Sequence, residues 1–182
     1  VSWAATHPKE LADFELHLYP ACNPTGVDQK TRHSVAGLDL NREFWTGSAE
    51  PEVLYLEREL RQQMFQGIVQ LHSDDTSHGV YGFVRGDMLS EELLKPALAK
   101  AAEYLPHNFN DVIDGFHADN GIIRICYDGI LSAPPEQRPR PLEIVFETPA
   151  LAPLEQQVLA TLEAVKTILA EYRKLHTYAA DL

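Results

Sequence analysis

The stretch Gly67-Ile68-Val69-Gln70-Leu71-His72-Ser73-Asp74-Asp75 decides the fold predicted for this chain. A glycine followed by such a short apolar run is typical of a strand buried in the middle of a parallel sheet. The strand delivers His72 and then two carboxylates at its carboxyl end, which is the edge where open α/β sheets bind ligands. A neutral imidazole there can bind a metal ion. The stretch therefore predicts an α/β fold with a candidate site at His72.

Helical and strand patterns alternate along the rest of the chain. The predicted helices begin at Ser48, Ser90 and Leu154, and the further strands cover 14–19, 121–127 and 142–146. Between these elements, 21–47, 77–86 and 133–141 are predicted as loops, the last of them on the surface. This alternation predicts an α/β/α sandwich with a mixed, partly parallel central sheet, formed by residues 1–182 as a single domain.

The composition restricts the partners that the protein can have. A formal net charge of -12 repels phosphate backbones and anionic lipids, so nucleic acid and membrane surfaces are excluded as predicted partners. No run reaches the length of a transmembrane helix, and no signal peptide is visible. Cys22 and Cys126 are solitary and are predicted to be buried thiols, which favours a reducing compartment and a cytoplasmic location. The oligomeric state is left open.

Several short motifs follow one another in a fixed order. They are Asn23-Pro24-Thr25-Gly26, Arg32, Gly37-Leu38-Asp39-Leu40-Asn41-Arg42, Ser48-Ala49-Glu50-Pro51-Glu52, Leu71-His72-Ser73 and Glu147 at the end of a strand. This series resembles the zinc carboxypeptidases, and the resemblance extends over nearly the whole chain, from about Phe14 to the last helix. The element 39–42 with 48–52 behind it is quite specific.

The resemblance implies a zinc-carboxypeptidase-like domain, Zn²⁺ as cofactor, and roles for five residues. His72 would be the third zinc ligand, and Glu147 the general base that takes a proton from zinc-bound water, whose pKa falls towards ~7. Arg32 would polarise the scissile carbonyl and stabilise the oxyanion, an interaction worth ~3–4 kcal/mol. Asn41 and Arg42 would hold the terminal carboxylate of the substrate, which a guanidinium binds with paired, planar hydrogen bonds.

These side chains also have structural interpretations. His72 could be a hydrogen-bonded core histidine, and a glutamate at a strand end is usually solvated or paired with an arginine. Arg32 and Arg42 would by default be ion-pair partners of Asp28 and Asp39. The order of the motifs favours the functional interpretation.

The family's other two zinc ligands form a His-x-x-Glu pair, and here the chain departs from the pattern. His7-Pro8-Lys9-Glu10 matches the spacing, but only three residues separate it from the strand predicted at Phe14, where the family has a whole helix. The pair is therefore predicted to point away from the site, and the remaining ligands are expected upstream of Val1. A chain with one ligand of three would bind zinc poorly.

A second departure concerns the tyrosine that members of the family fold over the substrate. The segment 132–141, where this tyrosine should fall, contains none, and Tyr127 is predicted to lie too early in the chain. Its absence leaves substrate closure and peptide specificity open. The compact section between His72 and Glu147 also suggests a shortened member of the family.

Three functions follow from these observations. The first is a zinc metallocarboxypeptidase-type hydrolase that cleaves an amide next to the free carboxylate of a small peptide. The second is an N-acyl amino-acid deacylase that resembles succinylglutamate desuccinylase or aspartoacylase. The third is a zinc-less module that binds peptide carboxyl ends through Arg42. The side chain that the substrate carries is not predicted.

Overall fold

The computed structural model describes residues 2–180 of the chain, and the side chains of residues 2–175. The helices are α1 (Ser2–Thr6), α2 (Pro24–Gln29), α3 (Pro51–Gln63), α4 (Leu89–Ala101) and α5 (Leu154–Ala180), with 3₁₀ turns at Pro8–Leu11 and Leu40–Arg42. The strands are β1 (Gly67–Asp74), β2 (Tyr81–Gly86), β3 (Val112–Ile113), β4 (Phe116–His117), β5 (Ile122–Ile123) and β6 (Leu142–Pro149).

Four of these strands form the central sheet, in the order β1-β6-β2-β5. Strand β6 runs parallel to β1 and antiparallel to β2, and β2 runs parallel to β5. Strands β3 and β4 form a separate hairpin. The sheet is thus mixed and partly parallel, with helices packed on it, and the predicted fold class is confirmed.

One face of the sheet packs on helices α4 and α5. Every residue of β6 is buried, because both of its faces are covered. On the helical side, Ile144 and Phe146 join one apolar cluster with α4 and α5. The large apolar residues in the first turns of α5 contribute little to this packing, since Leu154 is 73% and Val158 56% exposed. Helix α5 packs through residues further along it: Ala160, Ala164 and Ile168.

The opposite face of the sheet carries the predicted site residues His72 and Glu147. At the start of β1, Ile68 on this face packs in one cluster with Leu60 of α3 and with Ala133. Further along the sheet, its residues Tyr81, Phe83 and Val145 pack on this face in one cluster with the β3–β4 hairpin, which contributes Ile113 and Phe116. His72 lies four positions after Ile68 and Glu147 lies two positions after Val145, so both lie on this face, because side chains two apart along a strand share a face.

The position predicted for β1 within the sheet is wrong. Within the described part of the chain, β1 pairs with β6 alone and forms an edge of the sheet. Its side chains Val69 and Leu71 are 40% and 52% exposed. The buried central position belongs to β6, which is the last strand in the sequence and inserts between β1 and β2.

Several local expectations are also corrected. The strand predicted over 14–19 does not form, since a strand also needs a neighbour with which to pair. The Ser48 hydroxyl accepts from the Glu50 backbone N–H, but helix α3 begins at Pro51. Cys22 is exposed and Cys126 half-buried, and both are free thiols.

The three segments predicted as loops contain more structure than expected. Helix α2 and a 3₁₀ turn lie within 21–47, and strand β2 lies within 77–86. Ala133, Pro134 and Gln137 are buried, so 133–141 is only partly a surface segment. The strand predicted over 121–127 shortens to Ile122–Ile123. Within residues 2–180, no helix combines the length and apolar character that crossing a membrane requires.

Candidate functional site

Three neighbouring strands place His72, Glu147 and Tyr81 in one row. In the ladder, Glu147 of β6 is the register partner of His72 in β1 and of Tyr81 in β2. The Nδ1 atom of His72 lies 3.8 Å from Oε1 of Glu147. The sheet thus brings together two predicted site residues that are far apart along the chain.

The environment of Glu147 favours its protonated form. Its side chain is only 10% exposed. Burial is the largest cause that raises the pKa of this carboxyl to about 8, and the negative charges of Asp74 and Asp114 add to it, while Arg32 opposes them. A carboxyl with its pKa near neutrality can both accept and donate a proton, which is what general acid–base chemistry requires.

The environment of His72 favours its neutral form. Burial is the largest cause that lowers the pKa of the imidazole, and the positive charge of Arg32 lowers it further; Asp39 opposes them, and Arg42 adds the smallest lowering effect. The neutral imidazole is the form that binds a metal ion. The same shift shows that both arginines lie near enough to His72 to act on its charge.

Asp74 is connected to this row by a hydrogen bond from Tyr81, and no sequence motif predicted a role for either residue. The Tyr81 hydroxyl donates to Oδ2 of Asp74 at 2.9 Å, and Thr76 donates to Oδ1 through its backbone N–H and its hydroxyl. Burial alone would raise the pKa of Asp74, but these hydrogen bonds hold it below its ordinary value. Burial and the charge of Glu147 raise the pKa of Tyr81. The aromatic and β-branched residues Tyr81, Phe83 and Val84 were the signal that could have placed Tyr81 on a strand.

Arg32 is paired within the protein. Its Nε and Nη2 atoms donate to Oδ2 of Asp39 at 3.0 and 2.8 Å, and its side chain is 60% exposed. Its backbone O accepts from the Asn23 side chain, which also caps α2. Asp39 is thus one of the ion-pair partners expected if Arg32 has a structural role. The charge of Arg32 still lowers the pKa values of His72 and Glu147. Its role at a scissile carbonyl stays a prediction.

Asn41 and Arg42 lie in the 3₁₀ turn. Oδ1 of Asn41 accepts from the backbone N–H of Leu131 at 2.8 Å, which leaves its NH₂ group as a donor. The Arg42 guanidinium donates through Nη1 to the backbone O of Asn41 at 2.6 Å and lies over the ring of Tyr127. Among the side chains of residues 2–175, Arg42 has no carboxylate partner. It can therefore bind an anion from outside the chain.

Gly129 allows the loop beside Tyr127 to contact the turn that carries Arg42. Its backbone O accepts from the N–H of Phe44, and its φ is +72°. A Cβ at Gly129 would collide with the backbone O of Arg42. We expect Gly129→Ala to lower the free energy of unfolding by about 3 kcal/mol, as measured by urea denaturation.

Gly47→Ala is the matched control for this substitution. Gly47 also has a positive φ, +82°, but a Cβ there would meet nothing within 4 Å. It should cost about 1 kcal/mol, the strain of the backbone alone. Equal losses in the two variants would contradict the close contact at Gly129.

The described side chains do not by themselves fit a zinc centre. In residues 2–175, no three His, Cys, Asp or Glu side chains are arranged to hold a metal ion. His72 supplies one neutral imidazole. His7 and Glu10 are exposed and form no such group with it, and Nδ1 of His7 contacts the backbone O of Trp3. The ligand set that the resemblance implies is therefore incomplete in this part of the chain.

Glu147 should make the metal-free protein less stable as the pH rises. In the unfolded chain a glutamate loses its proton near 4.5, whereas the folded protein holds the proton of Glu147 up to about pH 8. The folded state therefore binds more protons in this window, so stability is present below it and is lost as the pH rises through it. We expect Glu147→Gln to stabilise the metal-free protein by about 3 kcal/mol at pH 8.

Urea denaturation of both proteins at pH 4.5 and pH 8, in the presence of a chelator, measures this effect. The difference between variant and wild type isolates Glu147, because His72 titrates in both proteins. A difference that stays constant between the two pH values would show that the buried carboxyl is already ionised at neutral pH.

Solved structures with this fold include three named as peptidases. A protein from Shewanella denitrificans, provisionally named a metallopeptidase, has a TM-score of 0.72 and 23% sequence identity. The match covers 90% of this chain and 63% of the Shewanella protein. A protein from Shewanella baltica, named in the same way, has a TM-score of 0.70 and 23% identity, and the match covers 82% of this chain and 60% of that protein. A metallo-carboxypeptidase from Burkholderia cenocepacia has a TM-score of 0.57 and 19% identity, and the match covers 96% of this chain and 50% of that protein.

These likenesses show a metallopeptidase-like fold. No family model matches the chain, and no curated protein matches it. The chain spans 60–63% of the length of the two Shewanella proteins and half that of the Burkholderia protein. At these identities the likeness concerns the fold, and chemistry has to be argued from the side chains.

Proposed function

We propose that the chain is a metallopeptidase-type hydrolase that cleaves an amide or peptide bond next to a free carboxylate. The observation that supports this most is the position of the buried, protonatable Glu147 beside the neutral His72. Arg42, a cation without a carboxylate partner among the described side chains, lies near enough to lower the pKa of His72. A proton-transfer group and an anion-binding group near one another are what this reaction needs.

Each side chain has a role in this proposal. Glu147 takes a proton from the attacking water and passes it to the amine that leaves, because its pKa near 8 suits both transfers. Arg42 and the NH₂ group of Asn41 hold the carboxylate of the substrate. Arg32 places its positive charge where the oxyanion develops.

Zinc is the metal that we propose, on the basis of the motif order. His72 would be one of its ligands. The side chains of residues 2–175 do not complete the ligand set, so no step of the reaction is assigned to the metal here. The same observation favours a second candidate function, a carboxylate-binding module without metal.

A substrate panel tests these functions against one another. Dipeptides with a free carboxyl end are compared with N-acyl amino acids, including acyl-aspartate and succinylglutamate, each with and without added Zn²⁺. We expect hydrolysis of the dipeptides. Hydrolysis of acyl-aspartate or succinylglutamate alone would instead indicate the deacylase. Binding without hydrolysis under every metal condition would indicate the binding module.

The partners and the compartment are further parts of the proposal. A small peptide or acyl-amino acid is the proposed substrate, and the strong negative charge argues against nucleic acid and membrane surfaces. Two free cysteines without a disulfide are consistent with a reducing compartment, for which we propose the cytoplasm.

A further inference from the structure

Tyr127 contacts Arg42 through the face of its ring. Cζ of Arg42 lies 4.2 Å from the ring centroid, which is the distance of a cation–π contact. One of the five N–H donors of the guanidinium, on Nη1, is used by the backbone O of Asn41. A guanidinium held at its face keeps its other in-plane donors for a carboxylate. The ring thus contacts Arg42 without occupying the edge that binds an anion.

The ring of Tyr127 is fixed by contacts that do not involve Arg42. Its hydroxyl donates to the backbone O of Asp114 at 3.0 Å, in the turn between β3 and β4. Phe116 of β4 packs edge-on against it, with 4.7 Å between centroids. Phe116 in turn contacts Phe83 of β2 at 5.9 Å. Tyr127 is therefore anchored to the sheet through the hairpin.

The two arginines are oriented in different ways. Arg32 is held by the carboxylate of Asp39, which takes two of its donors and compensates its charge. Arg42 is held by a neutral ring, which takes no N–H donor and leaves the charge uncompensated. Only the second arrangement leaves a cation ready for an external anion.

The geometry points to Tyr127 as a positioning residue that holds the Arg42 guanidinium in the orientation in which it receives the substrate carboxylate. This inference rests on the carboxylate-binding role proposed for Arg42. A freely rotating arginine loses conformational freedom when it binds, whereas a guanidinium that is already oriented loses less. Tyr127 acts through Arg42 and does not need to touch the substrate.

Two substitutions separate the ring from the hydroxyl. Tyr127→Phe keeps the aromatic face and loses the hydrogen bond to Asp114, whereas Tyr127→Leu keeps apolar bulk and loses the face. Tyr55→Leu is the matched control, because Tyr55 on α3 makes another Arg–Tyr contact, with Arg58 at 5.2 Å. The probe is N-acetylglycine, which carries an amide and a free carboxylate, titrated into the full chain and followed by NMR.

We expect Tyr127→Leu to weaken binding of N-acetylglycine about fivefold, while Tyr127→Phe and Tyr55→Leu stay within about twofold of the wild type. Recovery of binding in the phenylalanine variant would assign the effect to the aromatic face. Two results would overturn the inference: Tyr127→Leu binding as tightly as the wild type, or Tyr127→Phe binding as weakly as Tyr127→Leu.

The side-chain Nε–H resonance of Arg42 gives a readout that needs neither probe nor activity. A ring beneath the guanidinium shifts this resonance upfield, and the shift should persist in Tyr127→Phe and disappear in Tyr127→Leu. An unchanged resonance in Tyr127→Leu would overturn the positioning role. If the resonance behaves as expected but the wild type does not bind N-acetylglycine, the carboxylate role of Arg42 fails, and the positioning inference fails with it.

Discussion

The Glu147→Gln variant should have a kcat for amide hydrolysis about 10³-fold below that of the wild type, with KM within a few fold. Glutamine has the same shape and remains neutral, as the buried Glu147 carboxyl is at neutral pH in the metal-free protein. It can neither accept the proton of the attacking water nor pass a proton to the leaving amine. The measurement is steady-state kinetics on the substrate of the panel that the wild type cleaves fastest.

Glu143→Gln provides the control on the same strand. Glu143 is also buried in β6, but it pairs with Arg140 and lies towards the other end of the strand. Its replacement should leave kcat within about threefold while it alters stability. If Glu147→Gln retained more than about a tenth of the wild-type kcat, the proton-transfer role of Glu147 would be refuted.

Replacement of Arg42 by alanine should remove the preference for substrates with a free carboxylate. We expect kcat/KM on a free dipeptide to fall about 10²- to 10³-fold, because the carboxylate would lose its charged partner. Arg42→Lys should fall about tenfold, since an ammonium keeps the charge but cannot form the paired, planar hydrogen bonds. The comparison of kcat/KM among the wild type and the two variants measures both effects.

The C-terminally amidated dipeptide is the control for Arg42. The wild type should cleave it poorly, and the substitution should change its rate little, because the amide offers no anion to bind. A variant that lost activity equally on the free and the amidated substrate would show that Arg42 supports the fold of the site and does not recognise the carboxylate.

Local sequence patterns predicted the main helices and the strands β1 and β6, but they predicted the neighbours of a strand poorly. The alternation at 14–19 predicted a strand that does not form, because no local signal states whether a pairing strand lies beside it. The apolar run of β1 suggested burial on both faces, whereas Val69 and Leu71 are largely exposed. Pairing and coverage depend on strands far away along the chain, so a window of ten residues does not contain them.

In the candidate site, too, some features were predicted from the sequence, while contacts that depend on distant parts of the chain were not. Motif order placed His72 and Glu147 together, and the structure has them 3.8 Å apart. Motif order could not show which of the two arginines has a carboxylate partner. Arg32 pairs with Asp39 across a loop whose conformation the sequence does not predict. The position of Tyr127 in the sequence predicted only that it lies too early in the chain to fold over the substrate. Its contact with Arg42 depends on a hairpin that fixes the ring, which no spacing rule describes.

The strand order has a consequence for synthesis of the protein on the ribosome. Glu147 lies on β6, which occupies the middle of the sheet but follows β1, β2 and β5 in the sequence. A growing chain therefore carries His72 and both arginines long before it can place a carboxyl beside the imidazole. Until β6 inserts, β1 and β2 lack the strand that joins them, so the candidate site is assembled only when the last strand has been made.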